Sequence, residues 1–244
     1  MIIAVDKLDL TSKYRVRKAG IELEGGWDSK IRRPWNEVSR DGGVIRDGSI
    51  RGIDPAQYFI GELPSKPLSV AELLSWMRQW YPDVVNESCG MHVHMSFGSA
   101  LLYQKLMTPD FMDTICDSFL MWAKEKKFPD THHFITRLTG GSVYCQRRFS
   151  ADKQVQRTRK EYDREQEGNR YTIVNYPFRL TGTIEVRVLP MMDNADLAVD
   201  AVTHLIKLTN GCLTALMKEQ EDLINAAFMS ASEPAAQETH RICV

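Results

Sequence analysis

Three separated stretches of the chain place charged or imidazole side chains two residues apart among apolar neighbours. In a β-strand, residues i and i+2 point to one face and the residues between them point to the other. The pairs are Glu22 and Glu24, His92 and His94, and Glu185 and Arg187. Their apolar neighbours are Ile21, Leu23, Val93, Ile184, Val186 and Val188. If the three strands belong to one sheet, its polar face carries carboxylates, imidazoles and a guanidinium, a set suited to hard cations and phosphates.

A solvated sheet face is the simpler explanation for alternating charge, because antiparallel sheets commonly have one wet side. That explanation suits the two strands that carry glutamates when each is taken alone. It suits the strand with His92 and His94 less well, because the chain has only six histidines and solvated strands more often carry Lys, Thr or Glu. The three pairs together therefore favour a functional site.

The composition is that of an ordinary globular protein. The 244 residues fit one large domain with a well-buried core or two small domains, with 43% hydrophobic and 26% charged residues. A formal net charge of −1 gives no overall field that would favour nucleic acid or an acidic membrane, so any phosphate recognition must be local. No apolar run has the length of a membrane span, and the N-terminus has no leader pattern. We therefore expect a cytoplasmic protein without membrane association, and nucleic acid binding is not indicated.

The five cysteines are widely spaced and form no Cys-x-x-Cys pair. This spacing argues against a disulfide framework or a zinc knuckle and favours a reducing compartment. Each cysteine is expected to serve packing, and Cys89 is of interest only because it stands beside the histidine strand.

The rest of the sequence predicts the elements that would position these residues. Apolar alternation and turn signals predict strands over 14–28, 58–63, 89–97 and 171–175, and around Glu185. Helical periodicity predicts helices over 69–80, 109–127 and 195–228, the last interrupted near Asn210-Gly211. Asp47-Gly48-Ser49 predicts a turn, and His132 and His133 are expected in a loop, as structural or solvated residues. Strands with helices inserted in blocks indicate an α+β fold.

Residues 147–170 form a strongly polar segment in which arginines and lysines alternate with acidic residues. Balanced charge of this kind is typical of a solvated helix or loop. A second interpretation is a lid whose arginines close over an anionic ligand.

Taken in order, the motifs resemble the glutamine synthetase/γ-glutamylcysteine synthetase superfamily of carboxylate–amine ligases, specifically its compact amidoligase branch. The motifs are Gly20-Ile-Glu-Leu-Glu24, Asp47-Gly-Ser49, Gly61-Glu-Leu-Pro-Ser65, Cys89-Gly-Met-His-Val-His-Met-Ser96, Asn169-Arg-Tyr171 with Asn175, and Thr183-Ile-Glu-Val-Arg187. The run around His92 and His94 is similar to one in glutamine synthetases. The ordered set extends from residue 20 to about residue 210.

This resemblance implies a curved antiparallel sheet of the glutamine synthetase catalytic-domain type, with helices packed on its convex face. It implies one catalytic domain over residues 1–230, followed by a frayed tail over 231–244. The chain is too short for the amino-terminal β-grasp domain of glutamine synthetases, so their ring-shaped oligomer is not implied, and the oligomeric state is left open.

The resemblance also implies ATP and Mg²⁺ (or Mn²⁺) on the concave face of the sheet. Carried over residue by residue, the metal ligands are Glu22, Glu24, Glu62, His92 and Glu185. The catalytic phosphate contacts are Arg170 and Arg187, and Ser96 joins them as a nucleotide contact. His94 is either a further nucleotide contact or a residue that supports the metal ligands. Asp47 is either an additional ligand or only the cap of a turn.

The implied reaction is ATP-dependent formation of an amide or isopeptide bond through an acyl phosphate. The substrates would be an amino-acid or peptide carboxylate and an amine, and an amidotransferase or another biosynthetic enzyme could be a partner. Three alternatives stay open: a guanidino-kinase-like phosphotransferase, a metal-dependent hydrolase that uses His92, His94 and Glu62, and a catalytically silent binding protein. The excess of glutamates over histidines favours Mg²⁺ over Zn²⁺.

Overall fold

The computed structural model describes residues 13–142, 145–147, 172–176 and 182–232 of the chain, with side chains to residue 226. Arg170 lies outside these residues, as do all but Arg147 of the polar segment 147–170 and the tail beyond Ser232. The strands are β1 (Val16–Asp28), β2 (Tyr58–Pro64), β3 (Gly90–Phe97), β4 (Val174–Asn175) and β5 (Ile184–Pro190). The helices are α1 (Trp35–Val38), α2 (Val70–Trp80), α3 (Ala100–Leu106), α4 (Pro109–Glu125), α5 (His133–Leu138) and α6 (Ala195–Ser232). The α+β class is confirmed.

The five strands form one sheet in the order β2-β1-β3-β5-β4, and each pair of neighbours is antiparallel. The long strand β1 is hydrogen-bonded to β2 on one side and to β3 on the other. The apolar residues between the polar pairs are buried, each at most 1% exposed: Ile21, Leu23, Val93, Ile184, Val186 and Val188. One face of the sheet therefore belongs to the hydrophobic core, as the alternation predicts.

Helices cover the apolar face of the sheet. Both α2 and α6 pack against β1, and α3 packs against β3. The hydroxyl of Thr209 in α6 donates to the sulfur of Met95, which lies on the apolar side of β3, at 3.6 Å. The polar face is left free of these helices, so it is available for a site.

Local signals define two of the predicted helices. The hydroxyl of Ser69 accepts from the backbone N–H of Glu72, whose carboxylate in turn accepts from the backbone N–H of Ser69, so α2 begins with a capping box. Helix α4 begins with Thr108 as its N-cap and Pro109 in the first turn, where a missing N–H costs nothing.

Two predictions about secondary structure were wrong, the interruption of the last helix and the loop at His132 and His133. Helix α6 continues through Asn210-Gly211, because the Asn210 side chain is buried and its oxygen accepts from the backbone N–H of Val16 at 2.8 Å. Tertiary packing thus outweighs the low helix propensity of this pair. The loop expected at His132 and His133 is the start of α5, where Nδ1 of His132 accepts from the backbone N–H of Phe134 at 3.2 Å.

Within the described part of the chain, no helix combines the length and the apolar composition that a membrane crossing requires. Cys89, Cys116, Cys145 and Cys212 are buried free thiols, consistent with the packing role expected of them.

Candidate metal centre

The register of the sheet brings the predicted polar residues together. In antiparallel strands, directly opposed residues lie on one face with their Cβ atoms about 5 Å apart. Glu24 is opposite Glu62 across β1 and β2, and Glu22 is opposite His92 across β1 and β3. Farther along, His94 is opposite Glu185 across β3 and β5. The polar pairs therefore form one continuous cluster on four adjacent strands, the metal cluster.

Histidine nitrogens and carboxylate oxygens alternate through the metal cluster at short range. His92 Nδ1 lies 3.3 Å from a Glu22 oxygen and 3.9 Å from a Glu185 oxygen, and its Nε2 lies 3.5 Å from Glu24. His94 Nε2 lies 3.4 Å from the second oxygen of Glu22. The two histidines thus touch three carboxylates that would otherwise repel one another.

Three overlapping groups within the metal cluster have donor atoms that lie within 4.8 Å of one another. They are Glu22, Glu62 and His92; Glu22, His94 and Glu185; and Glu24, Asp47 and Glu62. Glu22 and Glu62 each belong to two groups, so one carboxylate can bridge neighbouring cations. A set rich in carboxylate oxygens with few imidazoles fits Mg²⁺ or Mn²⁺ better than a single Zn²⁺.

A loop after β1 carries Asp47 to this cluster. Ile45 exchanges two backbone hydrogen bonds of 2.8 Å with Glu62. A side chain at Gly61 would put its Cβ only 1.9 Å from the Ile45 carbonyl oxygen, so only glycine admits the loop there. One oxygen of Asp47 accepts from the backbone N–H of Ser49 at 2.7 Å. Asp47 therefore both caps its turn and lies among the possible ligands.

The electrostatics of the cluster shift the pKa values of two of its carboxyl groups, Glu22 and Glu62, in opposite directions. Burial alone would raise the pKa of Glu22, but hydrogen bonds and charge from His92 and His94 outweigh it and hold that pKa well below the usual range. Burial, with the charge of Glu22 added, raises the pKa of Glu62 to about 7. Glu62 is therefore the carboxyl that most lacks a compensating cation, and a divalent ion would supply one.

Arg187 and Asn175 hold Glu185 in place. Arg187 Nη1 pairs with one oxygen of Glu185, and Asn175 Nδ2 donates to the other oxygen at 2.9 Å. Burial opposes ionisation of Glu185, but the charges of Arg187 and both histidines lower its pKa overall. The Nε of Arg187 is buried and, among the described residues, has no hydrogen-bond acceptor. That donor is available to a ligand.

Cavities adjoin the metal cluster on two sides. A cavity of about 650 Å³ is lined by Glu24, Asp47, His92 and Arg187, with further lining from α5. A smaller one of about 220 Å³ is lined by Glu22, His94 and Ser96, together with Arg40 and Thr183. The cluster therefore separates two spaces, each of which has access to at least one group of ligands.

The predicted metal ligands all meet in this cluster: Glu22, Glu24, Glu62, His92 and Glu185. Of the predicted nucleotide contacts, Arg187 faces the larger cavity, whereas His94 and Ser96 line the smaller one. The Ser96 hydroxyl donates to the carbonyl of Lys18 at 3.1 Å.

Sequence reasoning missed three residues near the site. Arg40 lies 3.6 Å from Glu22, and His133 and Arg137 line the larger cavity. No period-two pattern marks them, because they lie on a loop and a short helix. A helical spacing of four between His133 and Arg137 was the one available signal.

The fold and the site define an α+β protein with a candidate polynuclear metal centre on the polar face of its sheet. Searches of protein-family models, of curated proteins and of solved structures find no match to the chain.

Proposed function

We propose that the protein is an ATP-dependent carboxylate–amine ligase of the amidoligase type. The observation that carries the proposal is the metal cluster, in which three overlapping ligand groups share two bridging carboxylates. The ordered motifs between residues 20 and about 210, which resemble those of glutamine synthetase-like ligases, support it independently of the geometry.

The ligand chemistry favours a phosphoryl-transfer enzyme over a zinc hydrolase. A catalytic zinc site needs three protein ligands and one open position, whereas this cluster offers four glutamates, an aspartate and two histidines. Such a surplus of oxygen donors suits two or three hard cations around a polyphosphate. The retained acids also argue against a silent binding protein.

In this proposal the protein's residues bind, orient and neutralise. Glu22, Glu62 and His92, with their neighbours in the cluster, would hold Mg²⁺. Mg-ATP, when bound, would supply the phosphoryl group that converts a substrate carboxylate into an acyl phosphate, with ADP as the other product. An amine would then attack the acyl carbon and displace inorganic phosphate. Little covalent help from the protein is needed for such a reaction, because positioning and charge neutralisation dominate it.

Arg187 is suited to steady the transferring phosphoryl group. Its pairing with Glu185 competes with any cation that Glu185 binds, so metal binding would weaken this pair and release part of the guanidinium towards the larger cavity. A guanidinium binds phosphate oxygens with two parallel hydrogen bonds. Arg170, which lies outside the described residues, is proposed as a second phosphate contact from the sequence motif alone.

The test begins with the release of ADP from ATP and Mg²⁺ in the presence of pooled amino acids and amines. Once a substrate pair is found, its carboxylate is labelled with ¹⁸O. We expect one labelled oxygen in the inorganic phosphate, because the carboxylate oxygen that bridges to phosphorus leaves with it. Glu22→Gln should lower the signal about a hundredfold, and Glu125→Gln, an exposed position on α4, serves as the control.

Other outcomes would assign a different chemistry. A guanidinium kinase would accumulate a phosphorylated product and release no labelled phosphate. A hydrolase would take its oxygen from water through a metal-bound hydroxide. Amide formation with ADP but no label in phosphate would refute the acyl phosphate.

A further inference from the structure

Helix α5 supplies one side of the larger cavity, next to the metal cluster. His133, Thr136 and Arg137 of this helix line the cavity together with Glu24 and His92. Residues four apart share one face of a helix, so His133 and Arg137 point in a common direction. A positive side chain therefore borders the same space as the acidic ligands.

Gly90 lies between the guanidinium of Arg137 and the possible metal ligands Glu24 and His92. A Cβ at Gly90 would lie 3.2 Å from Arg137 Nη1, 3.4 Å from a Glu24 oxygen and 3.5 Å from His92 Nε2. The backbone N–H of Gly90 donates to the same Glu24 oxygen at 2.6 Å. Because residue 90 has no side chain, the guanidinium approaches the possible metal ligands closely.

Arg137 is held in place by main-chain groups and not by a carboxylate. Nη1 donates to the carbonyl of Leu189 at 3.2 Å, and Nη2 donates to the carbonyl of Cys89 at 3.4 Å. Over the described residues these carbonyls are its hydrogen-bond acceptors, and no acidic group lies within ion-pair distance of it. By contrast, Arg187 pairs with Glu185 and Arg147 pairs with Asp113. Arg137 therefore keeps an uncompensated positive charge and free N–H donors, since a guanidinium has five.

His133 adds a neutral donor beside this charge. Its Nε2 is buried and, within the described chain, has no hydrogen-bond partner. Burial, with the nearby His132 and Arg137, lowers the pKa of His133 to about 4. At neutral pH the ring is therefore uncharged and can present one N–H to an anion.

We propose that Arg137, assisted by His133, forms a polyphosphate-binding site that orients the phosphate chain against the cations held by Glu24, Asp47 and Glu62. The site deepens the proposed function, on which it rests, by adding a phosphate contact from outside the sheet. A phosphate chain has oxygens enough to bind a cation on one side and a guanidinium on the other. The larger cavity offers both partners, since Glu24, Asp47 and Arg137 all line it.

The experiment measures binding and not turnover. Titration calorimetry follows inorganic tripolyphosphate in excess Mg²⁺, and electron paramagnetic resonance of free Mn²⁺ follows the metal alone. The variants are Arg137→Met, which removes the charge, and Arg137→Lys, which keeps the charge but loses the planar fork. Arg78→Met is the control, because Arg78 pairs with Asp196 on the surface and loses the same charge away from the cavity.

We expect Arg137→Met to weaken tripolyphosphate binding about tenfold or more, as for a lost charge-assisted hydrogen bond. Mn²⁺ binding should be unchanged or tighter, because a positive charge beside the ligands is gone. The tripolyphosphate affinity of Arg137→Lys should lie between those of Arg137→Met and the wild type, and that of Arg78→Met should equal the wild type's.

Two outcomes would overturn the site. Equal tripolyphosphate affinity in Arg137→Met and wild type would mean that Arg137 meets no phosphate. Parallel loss of tripolyphosphate and Mn²⁺ binding would mean that Arg137 only ties the ends of β3 and β5 together through its two carbonyls. Arg137-dependent tripolyphosphate binding without any ligase activity would leave the site standing and refute the proposed function instead.

Discussion

Replacing Glu62 by glutamine should make the metal-free protein more stable than the wild type. In the presence of Mg²⁺ the same variant should be less stable than the wild type. Burial and the charge of Glu22 raise the pKa of Glu62 from 4.5 to about 7. Between pH 4.5 and about pH 7, Glu62 has lost its proton in the unfolded chain but keeps it in the folded protein. The free energy of unfolding therefore falls as the pH rises through this range. Above about pH 7 the full penalty is present, and glutamine removes it.

The magnitude follows from the size of the rise in pKa. A rise from 4.5 to about 7 corresponds to a penalty of about 3 kcal/mol for a fully buried group. Glu62 is only half-buried and solvent screens its charge, so we expect Glu62→Gln to gain about 1–2 kcal/mol at about pH 8. Near pH 4.5 most of this gain should vanish.

The assay is urea denaturation in EDTA and in Mg²⁺. A cation present at a hundred times its Kd stabilises the folded state by about 2.7 kcal/mol, and the variant should lose much of this gain because Glu62 belongs to two of the three ligand groups. The order of stability should therefore reverse between EDTA and Mg²⁺. A variant less stable than the wild type in EDTA at about pH 8 would contradict this expectation, because it would mean that the surroundings of Glu62 stabilise its charged form.

Three further predictions concern activity and access. Glu22→Gln and Glu185→Gln should each lower ATP turnover about a hundredfold, since each removes an anionic ligand; full metal-dependent ADP release in both would exclude a catalytic metal cluster. Arg187→Lys should fold with an unchanged melting temperature but lose about tenfold in rate, because lysine lacks the planar fork. Unchanged rates in Arg187→Lys and in Arg170→Lys would mean that neither arginine binds phosphate. Segment 147–170 should be cleaved by protease in the free protein and protected by Mg-ATP, and equal cleavage rates would mark it as a plain surface segment.

Much of the sheet could be predicted because its pattern is local. Side chains alternate between the two faces of a strand with a period of two residues, and this is a property of each strand by itself. Ile21 and Val93 could therefore be assigned to the core, and Glu22 and His92 to the other face, from the sequence. The capping box at Ser69 is equally local, since its hydrogen bonds join residues three apart.

Elements that depend on distant partners could not be predicted in this way. The continuity of α6 through Asn210 depends on a hydrogen bond to Val16, far away in the chain. The motif Asp47-Gly-Ser49 left Asp47 as either a ligand or the cap of a turn. Its position among the ligands depends on the close approach of Ile45 to Gly61, which that motif does not reveal.

Alternation along each strand is enough to say which strand residues share a polar face, and therefore which kinds of ligand the site contains. The contacts among these residues follow from the folded sheet, because register is a relation between strands and not a property of one strand. Register placed Glu22 opposite His92, and Glu185 opposite His94. The packing of α5 brings Arg137 to the larger cavity beside the metal cluster. This position could not be predicted, because the sequence of a short helix does not indicate the surface against which the helix packs.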